Sequence, residues 1–232
     1  MELKIIKAVE IKSVDQWRQV APPMRADHWK DGRSAKLLAQ LMTDKTKSGR
    51  LMEELFHSLG YDTTETVICE PEAVATLPGV GNGRNHDLLM IGMDFVAGIE
   101  AKVDEPFGKA VNQQYKNADG NKKNRIEKMM DSAFNNVKPE EYSFGYQLLT
   151  GISATVEEAK NKGKKKALFL ITVFSDYIMN KKQAERNRKD YEQFCKGLGL
   201  APSGGVYDYQ RDNSKIELTI KWIEVKSTVE IK

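Results

Sequence analysis

Cysteine is scarce in this sequence, and its scarcity excludes two kinds of framework. Only Cys69 and Cys195 occur among the 232 residues. Two cysteines so far apart favour neither a disulfide scaffold nor a zinc site built from closely spaced thiolates. Cys69 lies in an apolar, strand-like run, which indicates a buried free thiol. We therefore expect a reduced, cytoplasmic protein.

Long hydrophobic runs are also missing. No stretch approaches the ~20 apolar residues that a helix needs to cross a bilayer. The N-terminal segment, MELKIIKAVEIKS, lacks the apolar core of a signal peptide. The sequence thus predicts no membrane partner.

Charge of one sign is nearly balanced by the other, with a net charge of only +3. That excess is too small to indicate a nucleic-acid-binding protein by itself. Lysines and arginines cluster at 160–166 and at 181–189, where they fit either a solvated surface or a phosphate contact. The length and the apolar fraction of 40% suit one globular domain that spans residues 1–232.

The hydrophobic pattern predicts alternating blocks of helix and strand. A short strand and an irregular helical piece come first, before the helix over 34–42, which has Ser34 as its N-cap. The other predicted helices cover 47–59, 139–160 and 181–198, and the chain is also predicted to turn helical after 106–108, through 125–134. The predicted strands cover 63–69, 86–92, 95–103, 167–174 and 215–225. This order predicts an α/β fold with a central mixed β-sheet flanked by helices.

The two closely spaced apolar runs at 86–92 and 95–103 predict a β-hairpin. A tight turn at Met93-Asp94 would place Asp87 directly opposite Glu100 on the same face. Lys102, two residues beyond Glu100, would point to that face as well. Two carboxylates and an ammonium are then gathered on one face of one hairpin.

Such a group of side chains suits a hard divalent cation. Mg²⁺ or Mn²⁺ takes carboxylate oxygens, and the ion would relieve the repulsion between Asp87 and Glu100. A bound ion neutralises phosphate charge and acidifies a water, while Lys102 could position or deprotonate that water. The same three residues could instead form a surface ion pair worth about 0–1 kcal/mol, so the pattern alone leaves both readings open.

The stretch HDLLMIG…GIEAKVDEPFG resembles the metal-binding hairpin of the PD-(D/E)XK nuclease superfamily. Asp87 stands as the first acid and Glu100-Ala101-Lys102 as the (D/E)XK element, while His86 replaces the proline of the motif. More narrowly, the chain is similar to an uncharacterised bacterial branch of that superfamily. The shared segments include His28-Trp29 with Gly32-Arg33-Ser34-Ala35, Leu77-Pro78-Gly79, 102–108 and Tyr146-Gln147-Leu148-Leu149.

The resemblance implies a restriction-endonuclease-like fold and a divalent-metal-dependent nuclease. It implies a metal site at Asp87, Glu100 and the Ala101 carbonyl, with Lys102 beside it. An upstream glutamate would complete the catalytic set; Glu54 is preferred over Glu53, and Glu72 is a further candidate.

The expected partner is nucleic acid, with DNA favoured by superfamily habit alone. Arg84, Asn85 and Gln147 are the candidate contacts to it. A homodimer would let one site cut each strand, although no residue indicates one. Two alternatives remain: a non-catalytic module that binds nucleic acid or protein on the same fold, and a hydrolase of another phosphate ester.

Overall fold

The chain is organised around one mixed β-sheet. The computed structural model describes residues 1–134, 138–211 and 214–226. Within these residues the strands are β1 (Leu3–Lys7), β2 (Val9–Glu10), β3 (Val67–Ala75), β4 (Arg84–Ile91), β5 (Phe95–Lys102), β6 (Lys166–Phe174), β7 (Gly204–Arg211) and β8 (Ser214–Val225). Their order across the sheet is β2-β1-β3-β4-β5-β6-β8-β7. The predicted α/β architecture with a central mixed sheet is confirmed.

Helices cover both faces of this sheet. They are α1 (Val14–Val20), α2 (Ser34–Thr43), α3 (Lys45–Ser58), α4 (Val111–Lys116), α5 (Gly120–Phe134), α6 (Tyr146–Asn161) and α7 (Lys181–Gly197), with short 3-10 turns at Ala26–His28, Pro139–Glu141 and Ser175–Tyr177. No helix in the described ranges is long and apolar enough to cross a membrane.

The sheet separates two apolar cores. On one face, α1, α2 and α3 contribute Trp17, Leu38 and Phe56 to a cluster with the inward side chains of β5. On the other face, α5, α6 and α7 contribute a second cluster that includes Ile152 and Phe194. Because both faces are covered, every residue of β5 is buried, which agrees with its long apolar run.

Strands β3, β4 and β5 form an antiparallel meander at the centre of the sheet. The chain then leaves through α4, α5 and α6 and returns as β6, which pairs parallel with β5. A further excursion through α7 and β7 brings in β8, which pairs parallel with β6 and antiparallel with β7. The β4–β5 hairpin therefore lies in the interior of the sheet.

A close backbone approach fixes the start of α6 against the segment after β5. A Cβ atom at Gly145 would lie 2.3 Å from the Cβ atom of Phe107 and 2.7 Å from its carbonyl oxygen, so only glycine fits. The N–H of Gln147 donates to that carbonyl oxygen at 3.1 Å. This contact holds the first turn of α6 beside the end of β5.

Several element boundaries differ from those that the sequence predicts. The strand expected over 63–69 starts at Val67 and continues to Ala75. The helix expected over 139–160 starts at Tyr146, because Gly145 pairs with Ala110 in a short β-bridge that precedes it. The stretch predicted to be helical after 106–108 forms two helices, α4 and α5. Strand β7 is absent from the predicted elements; it contains two glycines but gains its hydrogen bonds from β8.

Candidate functional site: an acidic and basic cleft over a hairpin

The tight turn of the hairpin is the one that the sequence predicts. The N–H of Gly92 donates to the carbonyl oxygen of Phe95 at 3.1 Å, which closes a two-residue turn at 93–94. The paired residues run from this turn to Leu88 opposite Ile99. The predicted register is therefore confirmed.

One residue further from the turn, the two strands carry the predicted acids. Asp87 follows on from Leu88 and Glu100 from Ile99, so the two carboxylates are brought to the same end of the hairpin. The backbone N–H of Ala101 donates to Asp87 Oδ2 at 2.7 Å, in the place of a ladder bond. Asp87, Glu100 and Lys102 line one cleft of about 380 Å³, together with the three predicted nucleic-acid contacts Arg84, Asn85 and Gln147.

Glu100 is the centre of a buried charge cluster. The side chains of Glu100 and Lys102 are only 4% and 7% exposed. Lys102 Nζ lies 2.6 Å from Glu100 Oε1, and Arg84 Nη2 contacts Glu100 Oε2. Burial by itself opposes ionisation of Glu100, but Lys102 and Arg84 outweigh it and hold the pKa of Glu100 below its usual value.

At Asp87 and Glu72, burial and neighbouring negative charge outweigh the nearby positive charge, so the pKa values are raised. Burial raises the pKa of Asp87 to about 7, and the nearby charge of Glu100 adds to the shift. Burial also raises the pKa of Glu72 to about 8, with a further contribution from Asp87. These two acids thus lack enough positive charge around them to remain fully ionised at neutral pH.

Glu72 reaches the cleft from β3, in an unusual backbone conformation. It lies between the paired positions Pro71–Leu88 and Ala73–His86, which places it beside Asp87. Its φ angle is +46°, in the left-handed region that non-glycine residues rarely adopt. Such strain persists only where the surrounding structure imposes it, and it is common at functional sites.

A fourth carboxylate, Glu105, ties the end of β5 to the start of α2. Its Oε2 accepts from the N–H of Val103 at 2.8 Å, and its Oε1 accepts from the N–H and the hydroxyl of Ser34 at 3.3 and 3.2 Å. The prediction of Ser34 as N-cap is wrong, because Ser34 is the first helical residue and Arg33 holds the cap position without a side-chain bond. The Glu105 carboxylate thus satisfies one of the first N–H groups of α2, which have no partner within the helix.

The prediction that Glu54 completes the site is also wrong. Glu54 is exposed and lines a different cavity, of about 420 Å³, between α2, α3 and the ends of β6 and β8. Helix α3 buries Met52 and Phe56 against the core, so the glutamates between them face outward. Glu53 lies 3.0 Å from the N-terminal amine. Glu72 is the upstream acid that the fold brings to Asp87.

Arg84, a predicted contact to nucleic acid, is directed into the protein. Its side chain is 8% exposed and turns inward to Glu100. Its Nη1 also donates to the carbonyl oxygen of Gln147 and, at 2.9 Å, to Thr150 Oγ1. The choice between solvent and Glu100 is a rotamer choice, which no periodicity in the sequence encodes.

His86 does not belong to the cleft. It is fully buried, and a Cβ atom at Gly98 would lie 2.6 Å from its ring, so it packs into the sheet on the side of α6. Burial holds the pKa of His86 well below its usual value, and the charge of Arg84 acts in the same direction. The imidazole is therefore neutral and structural.

The donor set partly fits a divalent cation. Carboxylates of Asp87, Glu72 and Glu100 are the ligands that Mg²⁺ prefers, and the raised pKa values of the first two reflect a local deficit of positive charge. Yet within the described residues no group of three or more His, Cys, Asp or Glu side chains is placed to hold a metal ion. Glu100 is instead occupied by the two basic side chains.

Fold and cleft together define an α/β protein that collects acidic and basic side chains over the open end of a central hairpin. The chain belongs to the family described as Domain of unknown function (DUF6946), which matches residues 10–227. A search of curated proteins found no match. A search of solved structures found none either.

Proposed function

We propose that the protein is a divalent-metal-dependent nuclease that hydrolyses phosphodiester bonds, with DNA as the favoured substrate. One observation carries the proposal: the hairpin brings Asp87, Glu100 and Lys102 into a single open cleft beside Glu72. This is the combination that the resemblance to the PD-(D/E)XK superfamily implies. A surface ion pair is a poor alternative, since Glu100 and Lys102 are buried at the bottom of the cleft.

The residues of the cleft would have two roles: three groups would bind the metal ion, and the Lys102 ammonium would act beside it. Asp87, Glu100 and the Ala101 carbonyl would hold Mg²⁺ or Mn²⁺. Glu72 would share the same ion, since it lies close enough to Asp87 for the Asp87 charge to add to the rise in the pKa of Glu72. When bound, such an ion neutralises charge on the phosphate and acidifies a coordinated water. Lys102 keeps its positive charge because Glu100 and then Asp87 outweigh the effect of burial and raise its pKa. It can therefore donate a proton or stabilise negative charge at its Nζ.

The approach of a nucleic acid is supported by the polar wall of the cleft. Asn85 and Gln147, the candidate contacts to nucleic acid, line it, and Arg25 and His28 from the segment before α2 line it as well. Amide and guanidinium groups of this kind contact phosphate and sugar without reading the sequence. The cleft thus favours backbone recognition.

Cleavage assays with metal-site variants test the proposal. Plasmid and single-stranded oligonucleotides would be incubated with Mn²⁺ or Mg²⁺ and the wild type, Asp87→Asn or Lys102→Met. Each variant should lose activity by on the order of 10²-fold or more, since each removes a ligand or the catalytic cation. Glu54→Gln is the matched control, because it removes an exposed acid outside the cleft, and it should cleave like the wild type. Circular dichroism would establish that each variant is folded. Cleavage that survives in Asp87→Asn would overturn the proposal.

A second candidate, a non-catalytic nucleic-acid-binding module, is favoured by the charge balance at Glu100. Arg84 and Lys102 already neutralise this acid, as in a site that is structural. Binding of DNA without cleavage under any divalent ion would support the binding module. Turnover confined to small phosphodiesters would support a hydrolase of another phosphate ester.

A further inference from the structure

Arg84 is held in the cleft by contacts from two directions. Its Nη2 contacts Glu100 Oε2, while Nη1 is anchored by the Gln147 carbonyl and by Thr150 Oγ1 on α6. The guanidinium carbon also lies 5.8 Å from the centre of the Phe169 ring. A buried, multiply bonded guanidinium has one defined position, and that position is at the carboxylate of the proposed metal ligand.

Glu100 has no free oxygen toward the cleft in this arrangement. Oε1 accepts from Lys102 at 2.6 Å, and Oε2 is in contact with Arg84. A divalent ion bound directly by Oε2 would lie within a few Å of the guanidinium. Arginine cannot lose its proton to relieve that repulsion, whereas lysine can. The arginine and the ion therefore compete for the same oxygen.

We propose that Arg84 is an internal counter-ion of Glu100, and that a divalent ion binds there only when the guanidinium withdraws. The inference rests on the proposed function, because the ion is the one that the nuclease requires. It explains why two acids and two bases share one cleft while no group of acids among the described residues is preassembled for a metal.

Once withdrawn from Glu100, the Arg84 guanidinium could contact a phosphate of the substrate. Arg84 lines the cleft beside Asn85 and Gln147, which is the space that a phosphodiester would enter. A guanidinium fork pairs with phosphate in a bidentate way. The residue would then act as a counter-ion before the metal binds and as a positioning residue for the substrate afterwards.

Metal titrations of matched variants test the competition without any nuclease activity. Calorimetry with Mn²⁺ would compare the wild type, Arg84→Gln and Arg25→Gln. Arg25 lies on the rim of the same cleft, pairs with Asp27, and is 69% exposed. Arg84→Gln should bind Mn²⁺ more tightly than the wild type by about tenfold or more, since a unit positive charge close to a divalent ion repels it appreciably even under screening. Arg25→Gln should change the affinity by less than about threefold, because exposed charges are screened.

The arginine can also be followed in the wild-type protein, in case Arg84→Gln fails to fold. The side-chain Nε–H resonance of Arg84 would be assigned by its loss in Arg84→Lys. Addition of Mg²⁺ should shift this resonance and increase its exchange with water. A resonance that stays unchanged while calorimetry shows Mg²⁺ binding would overturn the inference.

The outcomes separate this inference from the proposed function. Equal Mn²⁺ affinity in the wild type, Arg84→Gln and Arg25→Gln would refute the competition and leave the metal site standing. Binding that is lost in Asp87→Asn and tightened in Arg84→Gln supports both. No binding of either ion in any variant removes the metal site, and with it the competition.

Discussion

Replacement of Glu100 by glutamine should destabilise the metal-free protein strongly. Glu100 is the shared partner of Arg84 and Lys102, and the three side chains are 4%, 8% and 7% exposed. Glutamine keeps the shape of the side chain but leaves two buried cations without a counter-charge. Lysine can respond by losing its proton, but arginine remains charged. Breaking a buried ion pair from one side costs about 3–5 kcal/mol, and we expect Glu100→Gln to lie in that range.

Equilibrium unfolding in urea, followed by circular dichroism with chelator present, measures this loss. With a slope of about 3 kcal/mol per molar, the midpoint should fall by about 1–1.7 M. Glu192→Gln is the control, because it breaks a pair with Arg188 at 3.0 Å whose side chains are 41% and 38% exposed. That exposed pair should contribute less than about 1 kcal/mol. If the two variants have the same midpoint, the cluster around Glu100 does not hold the fold together and the charge argument fails.

Three further outcomes can be checked by unfolding experiments. Gly98→Ala should cost about 1–3 kcal/mol, because the new Cβ would lie 2.3 Å from Thr155 Oγ1; Gly120→Ala, which has nothing within 4 Å of the new Cβ, is the matched control and should not be destabilised. The stability of the metal-free protein should fall as the pH rises from about 4.5 to 8, because the folded state keeps a proton on Glu72, with its pKa of about 8, that the unfolded state has released. Glu72→Gln should flatten that slope in a series of urea midpoints, and an unchanged slope would contradict the assignment. Asp44→Ala should cost about 1 kcal/mol in thermal unfolding, because the Asp44 side chain caps α3 through the N–H of Lys47, and an unchanged midpoint would show that the cap adds nothing.

The sequence determines the hairpin because its geometry is local. A two-residue turn and a side-chain period of two are enough to bring Asp87 and Glu100 to the same end of the hairpin, and the structure has the predicted register as far as Leu88 opposite Ile99. The central mixed sheet is predictable for a similar reason, since apolar runs such as 167–174 indicate strands covered on both faces.

The rest of the site depends on tertiary packing. Both Glu54 and Glu72 were candidates, and only the placement of α3 and β3 around the hairpin decides between them. The left-handed backbone conformation at Glu72 could not be predicted either, because the usual sequence signal for it, a glycine, is absent at this position. The inward rotamer of Arg84 follows from Glu100 on β5 and from Gln147 and Thr150 on α6, two elements far apart in the chain. The periodicity of one segment does not predict contacts between side chains of different elements.

The backbone at Glu72 has a consequence for protein engineering. A left-handed φ of +46° costs a residue with a side chain about 1–2 kcal/mol relative to glycine. A redesign that optimised thermal stability would therefore replace Glu72 with glycine, and the product should be more heat-resistant. It would also lack the acid that stands beside Asp87. At this position, glycine would favour stability, whereas glutamate is needed to keep the acid in the cleft.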